Sequence, residues 1–426
     1  MTPASGEALT VEVAVSSTRA KLRVTPTRST THSKGAEEET ALRSVALDLG
    51  VKETSFCEVS HGLVIARRTV QEFTDLVELL GPGTRRARIA IEACREAWHV
   101  HDTLTTWGHE VVLVDTTRTR QIGLRHHGRK TDRIDAELLA RAVESGGIPV
   151  AHLLSPERRE LRDLLSVRRA MVETRAQYIT TIRGLARSRG EKIGSCTASG
   201  FLAHLAKAQL KAETRTLIAP LESTLQRVGL ELARTNARLE EVSKPEATIE
   251  RLTSAPGVGL IVAAAFVSVI DDAKRFAGSH QVESYLGLVP RESSTGGKRK
   301  LGSITKQGNS YMRALLVQSA STILRTGDPD DPLRRWGRTL LERRGRKIAV
   351  VAVARRLAGI LWALWRKGAV YDPARLGASS GRGLEQRAQD ATVAAKAMLA
   401  AAEKTRRRVR DASRVLRAAL AKEVVA

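Results

Sequence analysis

Val45-Ala46-Leu47-Asp48-Leu49 decides the reading of the first third of this chain. Side chains along a strand alternate between faces, so Val45, Leu47 and Leu49 share one face while Ala46 and Asp48 share the other. Further on, Ile89-Ala90-Ile91-Glu92 repeats the arrangement. In both strands the acid follows a small residue on the less apolar face, and small neighbours leave room for a metal ion and a phosphate. Around them, short β-type runs at 44–49, 54–59, 63–70, 88–91 and 111–114, with helical stretches at 74–80 and 97–107, predict an α/β domain.

Two more acids lie in Lys130-Thr131-Asp132-Arg133-Ile134-Asp135-Ala136, which opens a predicted helix with Ile134, Leu138 and Ala142 on its apolar side. Asp132 and Asp135, three residues apart, project from neighbouring positions and can turn toward a common centre. The four carboxylates Asp48, Glu92, Asp132 and Asp135 thus form a strand, strand and helix set. Hard oxygen ligands of this kind suit Mg²⁺, and a pair of such ions stabilises both the attacking and the leaving oxygen of a phosphoryl transfer. Taken singly, each acid also has a structural reading: Asp48 as a turn former at a strand end, Asp132 as a charge favoured by the helix dipole. The adjacent His126 and His127 do not face one another on any regular element and read as phosphate contacts or loop residues.

The acids sit on a strongly basic chain. Lysine and arginine total 70 against 46 acidic residues over 426, a formal net charge of +24. This balance favours nucleic acid over an acidic small molecule as partner. Aromatics make up only 3%, which argues against a base-stacking platform as the main mode of binding. With 42% apolar residues the chain can bury a sizeable core, divided into two or three domains. Cys57, Cys94 and Cys196 lack any pairing or ligand spacing and read as reduced, structurally buried thiols. No continuous apolar run reaches the ~18 to 20 residues of a membrane span. The expected setting is cytoplasmic, without a membrane.

Residues 1–40 have little periodicity and read as a mobile extension. From Ser155, followed by Pro156 at the first helical position, a long helix is predicted to about residue 189, with Leu165, Val172, Ile179 and Ile182 as its seam. Between Arg158 and Arg189 it carries nine arginines and three acids, so one face is cationic. Arg168, Arg175 and Arg183 are its candidate nucleic-acid contacts, a solvated face being the alternative. A second helix near 214–241 pairs with it as an antiparallel hairpin. A helical third region starts at Ser254-Ala255-Pro256-Gly257-Val258-Gly259-Leu260 and runs through an apolar helix at 261–270 to about Asp372. Its Pro256 to Gly259 turn resembles half of a helix-hairpin-helix, in which amides at Gly257 and Gly259 bind phosphate.

The segment from Gly287 to Asn309 gathers hydroxyls, glycines and cations, including Ser293-Ser294-Thr295-Gly296-Gly297-Lys298-Arg299-Lys300 and Lys306. Glycines permit close approach to a phosphate, which Lys298, Arg299, Lys300 and Lys306 neutralise. A hydroxyl here, acting as nucleophile, would form a phosphoester that conserves the broken strand for rejoining. A plain loop on the DNA backbone would have a similar composition.

In order and spacing these motifs resemble the DEDD transposases of the insertion sequence 110 family, most closely the 1111 subgroup, over roughly residues 45–372. The resemblance implies an N-terminal RuvC-like domain of RNase H fold (41–152), a helical coiled-coil connector (153–248), a mainly α-helical C-terminal transposase domain carrying a nucleophilic serine (249–372) and, outside the match, a basic Ala/Arg-rich tail (373–426). Carried over residue by residue, Asp48, Glu92, Asp132 and Asp135 become the ligands of two Mg²⁺ ions. The family serine lies just before the glycine of its segment; here Thr295 holds that place, so Ser294 is chosen, with Ser293 as the fallback. Cys94-Arg95 replaces a smaller, glycine-containing turn. The resemblance further implies DNA element ends and a DNA target, an element-encoded noncoding guide RNA and a homo-oligomer, dimer or tetramer. Two other functions fit the residues: a junction-resolving nuclease of the same fold that uses water, and a non-enzymatic nucleic-acid-binding relic.

Overall fold

The structure, a computed structural model, describes residues 42–50, 52–115, 118–119, 132–293 and 300–374. The leader, the tail beyond 374, His126, His127, Ser294, Thr295, Lys298, Arg299 and the side chain of Asp132 lie outside the described residues. The chain forms two compact units that divide between Leu153 and Leu154.

The first unit is built on five strands, β1 (Arg43–Leu49), β2 (Thr54–Ser60), β3 (Leu63–Val70), β4 (Ala87–Glu92) and β5 (Glu110–Val114), in the order β3-β2-β1-β4-β5. The first three are antiparallel neighbours, whereas β4 runs parallel to β1 and β5 parallel to β4. The tight β2–β3 turn uses His61 (φ 50°) and Gly62 (φ 72°), the pair of positive angles that a two-residue hairpin loop requires. Helices α1 (Val77–Leu80) and α2 (Ala97–Thr106) connect the parallel strands. Leu80, Val100 and Leu104 pack with Val45, Leu47, Phe56, Ile89 and Ile91 to bury one side of the sheet.

The opposite side lies under α3 (Asp132–Glu144). Ala136, Leu139, Ala140, Ala142 and Val143 meet Ala46, Cys57, Val59, Ala90, Val112 and Val114 there. Two expectations change. The inward stripe of α3 is centred on Leu139 and Val143, with Leu138 only half-buried, because the sheet demands a broader apolar face than the 134, 138, 142 line. Ala46 and Ala90 are fully buried, so their small size lets the helix approach the sheet and does not itself leave an open cavity. The ion pair of Glu137 with Arg67, Arg141 donating to the Gly62 carbonyl, and the Gly62 amide donating to Glu144 (3.0 Å) tie α3 to the β2–β3 hairpin.

In the second unit, α4 (Pro156–Ser188) and α6 (Ala212–Ser243) flank the short α5 (Phe201–Lys207). Arg158 pairs with Glu246 at 2.8 Å and Arg168 with Asn236 at 2.7 Å, while Ile182 packs with Ile218 and Leu225, so the two long helices run antiparallel. Buried Ile218, Leu225, Leu232 and Leu239 recur every seventh residue of α6. On α4 the fully buried positions are Leu161, Leu165, Ile182 and Ala186; the expected seam residues Val172 and Ile179 are half-buried.

Among the described residues the rest is helical apart from one hairpin: α7 (Ala247–Thr253), α8 (Leu260–Ile270), α9 (Ser279–Tyr285), β6 (Pro290–Glu292), β7 (Leu301–Ile304), α10 (Ser310–Thr326), α11 (Pro332–Arg344) and α12 (Arg346–Lys367). By length and composition α12 suffices to cross a membrane, although Arg355 and Arg356 interrupt it, so its apolar run is not continuous over that length. Its Ala349, Val353, Ala354, Leu357 and Leu361 are fully buried in the helical core, which accounts for the apolar composition.

Candidate active site

Asp48 and Glu92 become neighbours through strand register. Leu47 is the parallel partner of Ile91, so each acid stands one residue past that pair, at the C-terminal ends of adjacent strands. Alternation puts both on the face covered by α3. Asp135, in the first turn of α3, is 8% exposed. No described residue gives its carboxylate a hydrogen bond or an ion pair. A buried, ionised carboxylate without a donor is costly, which favours a cation beside it. The donor chemistry therefore fits a hard divalent ion. Among the described residues, however, no three acids or other ligating side chains are gathered closely enough to hold one.

Cys57 lies on the same face beneath α3, and burial pushes its thiol up, against the opposing pull of Arg67. Cys94, expected to be buried, is exposed in the loop after Glu92; it too is pushed up, chiefly by desolvation. Neither is poised as a thiolate nucleophile.

The serine segment is organised by its base. Strands β6 and β7 pair antiparallel, and the Ser293 amide donates to the Lys300 carbonyl at 2.9 Å. Ser293 and Lys300, which flank the undescribed residues 294–299, are both exposed. Gly287 has φ 69°, and a Cβ there would stand 2.2 Å from the Gln307 carbonyl oxygen. Gly308, at φ 71°, would bring one within 2.1 Å of the Tyr285 carbonyl oxygen. These glycines let the two arms of the segment cross in backbone contact. Arg313 donates to the carbonyls of Leu286 (3.2 Å), Gln307 and Gly308 (3.2 Å), closing the base. Burial there lowers its affinity for a proton. Lys306 is exposed, with the positive φ of 57° that the bend needs.

The other sequence candidates are placed less simply. Gly257 has φ 68°, and a Cβ would meet Ile323 Cγ1 at 2.9 Å and the Ser319 carbonyl oxygen at 3.0 Å, so its first role is to seat the α7–α8 turn against α10. Gly259 is the N-cap of α8, and a Cβ there would meet nothing within 4 Å. Arg168, Arg175 and Arg183 do not form an open cationic face; all three are half-buried. Arg168 bonds Asn236 across the hairpin, and Arg183 donates to the Gly194 carbonyl at 3.0 Å and lies over the Phe201 ring at 5.4 Å. Sequence reasoning missed the cations of α11, whose i, i+3 spacing in Arg335 and Arg338 was the available signal.

Comparison with known proteins bears on the whole arrangement. A family model described as "Transposase IS116/IS110/IS902 family" matches residues 249–333, and a DEDD model of IS110 type, described as "Transposase", matches 45–188. A Pseudomonas aeruginosa protein described as "Probable family 20 transposase" is 31% identical over 74% of this chain and 93% of its own length. The transposase for insertion sequence element IS1111A of Coxiella burnetii is 28% identical, over 78% of this chain and 91% of its own. That for element IS1328 of Yersinia enterocolitica is 26% identical, over 77% and 98%. Similarity on this scale spans both units, and the chain belongs to the IS110/IS116/IS902 family of insertion-sequence transposases, enzymes that cut and rejoin DNA.

Proposed function

We propose that this transposase excises and inserts its element by Mg²⁺-dependent strand exchange through a serine ester. The observation that carries the reading is the adjacency of Asp48 and Glu92 at two parallel strand ends, under a helix that begins with Asp132 and Asp135. The strand order β3-β2-β1-β4-β5 supports an RNase H-like, RuvC-like catalytic domain over 41–152. The seven-residue spacing of Ile218, Leu225, Leu232 and Leu239 supports a coiled-coil connector over 153–248, followed by a serine-bearing domain over 249–372.

In this reading Asp48, Glu92, Asp132 and Asp135 would hold two Mg²⁺ ions, which supply charge stabilisation at the reacting phosphate. The Ser294 hydroxyl attacks phosphorus, losing its proton to a base, and one DNA hydroxyl departs. The resulting phosphoester is then attacked by a hydroxyl of the new partner strand, which releases the serine without an external energy source. Lys298, Arg299, Lys300 and Lys306 neutralise the bound phosphates, and the amides near Gly257 and Gly259 offer further contacts. An element-encoded guide RNA, a dimer or tetramer bringing DNA element ends to the target, and a cytoplasmic, nucleoid-associated setting complete the reading. The net charge of +24 supports a polyanionic partner.

Trapping the covalent adduct and sequencing the DNA-linked peptide tests this, beside alanine variants of Ser293, Ser294 and Thr295. The adduct is expected to map to Ser294 and vanish in Ser294→Ala. Persistence there, on a neighbouring residue, moves the assignment; recombination with no adduct under any trapping condition favours attack by water.

A further inference from the structure

Among the described residues, exposed cations that lack a protein partner cluster where α11 meets α12. Arg335, Arg338, Arg343, Arg344, Arg346 and Lys347 are all exposed, with Glu342 as the sole acid among them. None of the six makes a side-chain hydrogen bond or ion pair with any described residue. On the long helices the pattern differs, with Arg158, Arg169 and Arg234 each held by a glutamate at 2.8, 2.7 and 2.6 Å.

The array is also firmly mounted. Asp331 caps α11 by accepting from the Leu333 (2.8 Å) and Arg334 (3.2 Å) amides. Leu333 and Gly337 face inward, and a Cβ on Gly337 would stand 2.7 Å from both Leu324 Cδ2 and Val353 Cγ2. A helix seated this closely on α10 and α12 has its outward face fixed. Gly345, at φ 78°, then turns the chain into α12 and adds Arg346 and Lys347 to the same end.

We propose that this α11–α12 elbow is a docking surface for the backbone of duplex DNA. Six unpaired cations against one acid complement a duplex carrying a charge about every 1.7 Å of axis. The rise from Arg335 to Arg343 is about 12 Å, similar to the ~12 Å width of the major groove of B-form DNA, so the two ends of the array meet phosphates on both sides of it. The deep, narrow major groove of an A-form RNA helix offers no such span. The inference rests on the family membership of the chain and not on the carboxylates or the serine.

The test is a titration of the full chain with a labelled duplex of arbitrary sequence, without divalent metal, over a range of salt. The variant carrying Arg335→Gln, Arg338→Gln, Arg343→Gln and Arg346→Gln is expected to flatten the log-log salt slope by about 0.9 per lost contact, roughly 3 to 4 units in all. The corresponding four-lysine variant is expected to keep the slope. An unchanged slope in the glutamine variant overturns the proposal, as does a loss confined to RNA with duplex binding intact. Should the four-fold variant fold poorly, the pairs Arg335→Gln with Arg338→Gln and Arg343→Gln with Arg346→Gln each carry half the expected change. Because no cleavage is read, failure here is distinct from failure of the serine mechanism.

Discussion

Ala46 is the parallel-strand partner of Ala90, and both are fully buried beneath α3. That pairing sets the spacing of everything beyond it, including Asp48 and Glu92 at the strand ends. If these acids hold metal, Asp48→Asn and Glu92→Gln should each reduce strand cleavage by roughly two to three orders of magnitude, the scale of losing a group that stabilises transition-state charge. Duplex affinity should stay within a few fold, because it comes from cations elsewhere. Removing Mg²⁺ with a chelator should reproduce this split in the unaltered protein. A variant that cleaves at the normal rate removes its residue from the site.

Enlarging the floor beneath α3 should act through packing. Ala90→Leu has no space to fill, since Ala90 is fully buried in the apolar layer that the sheet shares with α3. Overpacking of this kind costs about 1 to 3 kcal/mol. Thermal unfolding should fall accordingly, and cleavage should fall with it if α3 must lift Asp135 away from the strand ends. Unchanged stability would mean that the face is looser than its burial indicates.

At the base of the serine segment, Gly287→Ala and Gly308→Ala each meet a positive φ and a backbone carbonyl closer than any real Cβ contact. Each should destabilise the protein by more than the ~1 kcal/mol of an ordinary glycine-to-alanine effect. Gly259→Ala, at a site with open space, should cost no more than the ~1 kcal/mol of an alanine at a helix N-cap and serves as the comparison. Equal melting temperatures for Gly287→Ala and Gly259→Ala would contradict the crossing of the two arms.

Tyr371 makes a pH-dependent tether. Its hydroxyl donates to Asp331 Oδ2 at 2.8 Å, and burial, with that bond, pushes its ionisation well above the usual tyrosine value. A folded-state value above the unfolded one gives stability that is complete below the unfolded value, ~10, and is lost as pH rises past it. Tyr371→Phe should cost about 1.5 to 3 kcal/mol near neutrality, the range for a hydrogen bond to a charged group. It should also flatten the alkaline limb of stability against pH, measured by denaturant unfolding. An alkaline limb that persists unaltered would assign it to other groups.

Much of this architecture was legible in the residues because it rests on local period. The alternation around Asp48 and Glu92 placed both strands, and Ser155-Pro156 located the start of α4. What period could not reveal was which side of an element meets another. Ala46 and Ala90 looked like space for a ligand and proved to be a seat for a helix, since alternation separates two faces without saying what covers either. Arg168 and Arg183 looked like a nucleic-acid face, but the helix that folds back supplies Asn236 to Arg168, and the segment between the two long helices supplies Gly194 and Phe201 to Arg183. The cations of α11 were passed over because their freedom depends on Gly337 pressing the opposite side of that helix into the core.

The bond from the Ser293 amide to the Lys300 carbonyl, with Gly287 and Gly308 locked below it, works like the collar of a tool holder. A backbone amide and a backbone carbonyl make that bond, so the grip does not depend on which side chains stand at 293 and 300. Exchanging the side chains of Ser293 and Lys300 should therefore leave the melting temperature in place, whereas losing either glycine should not.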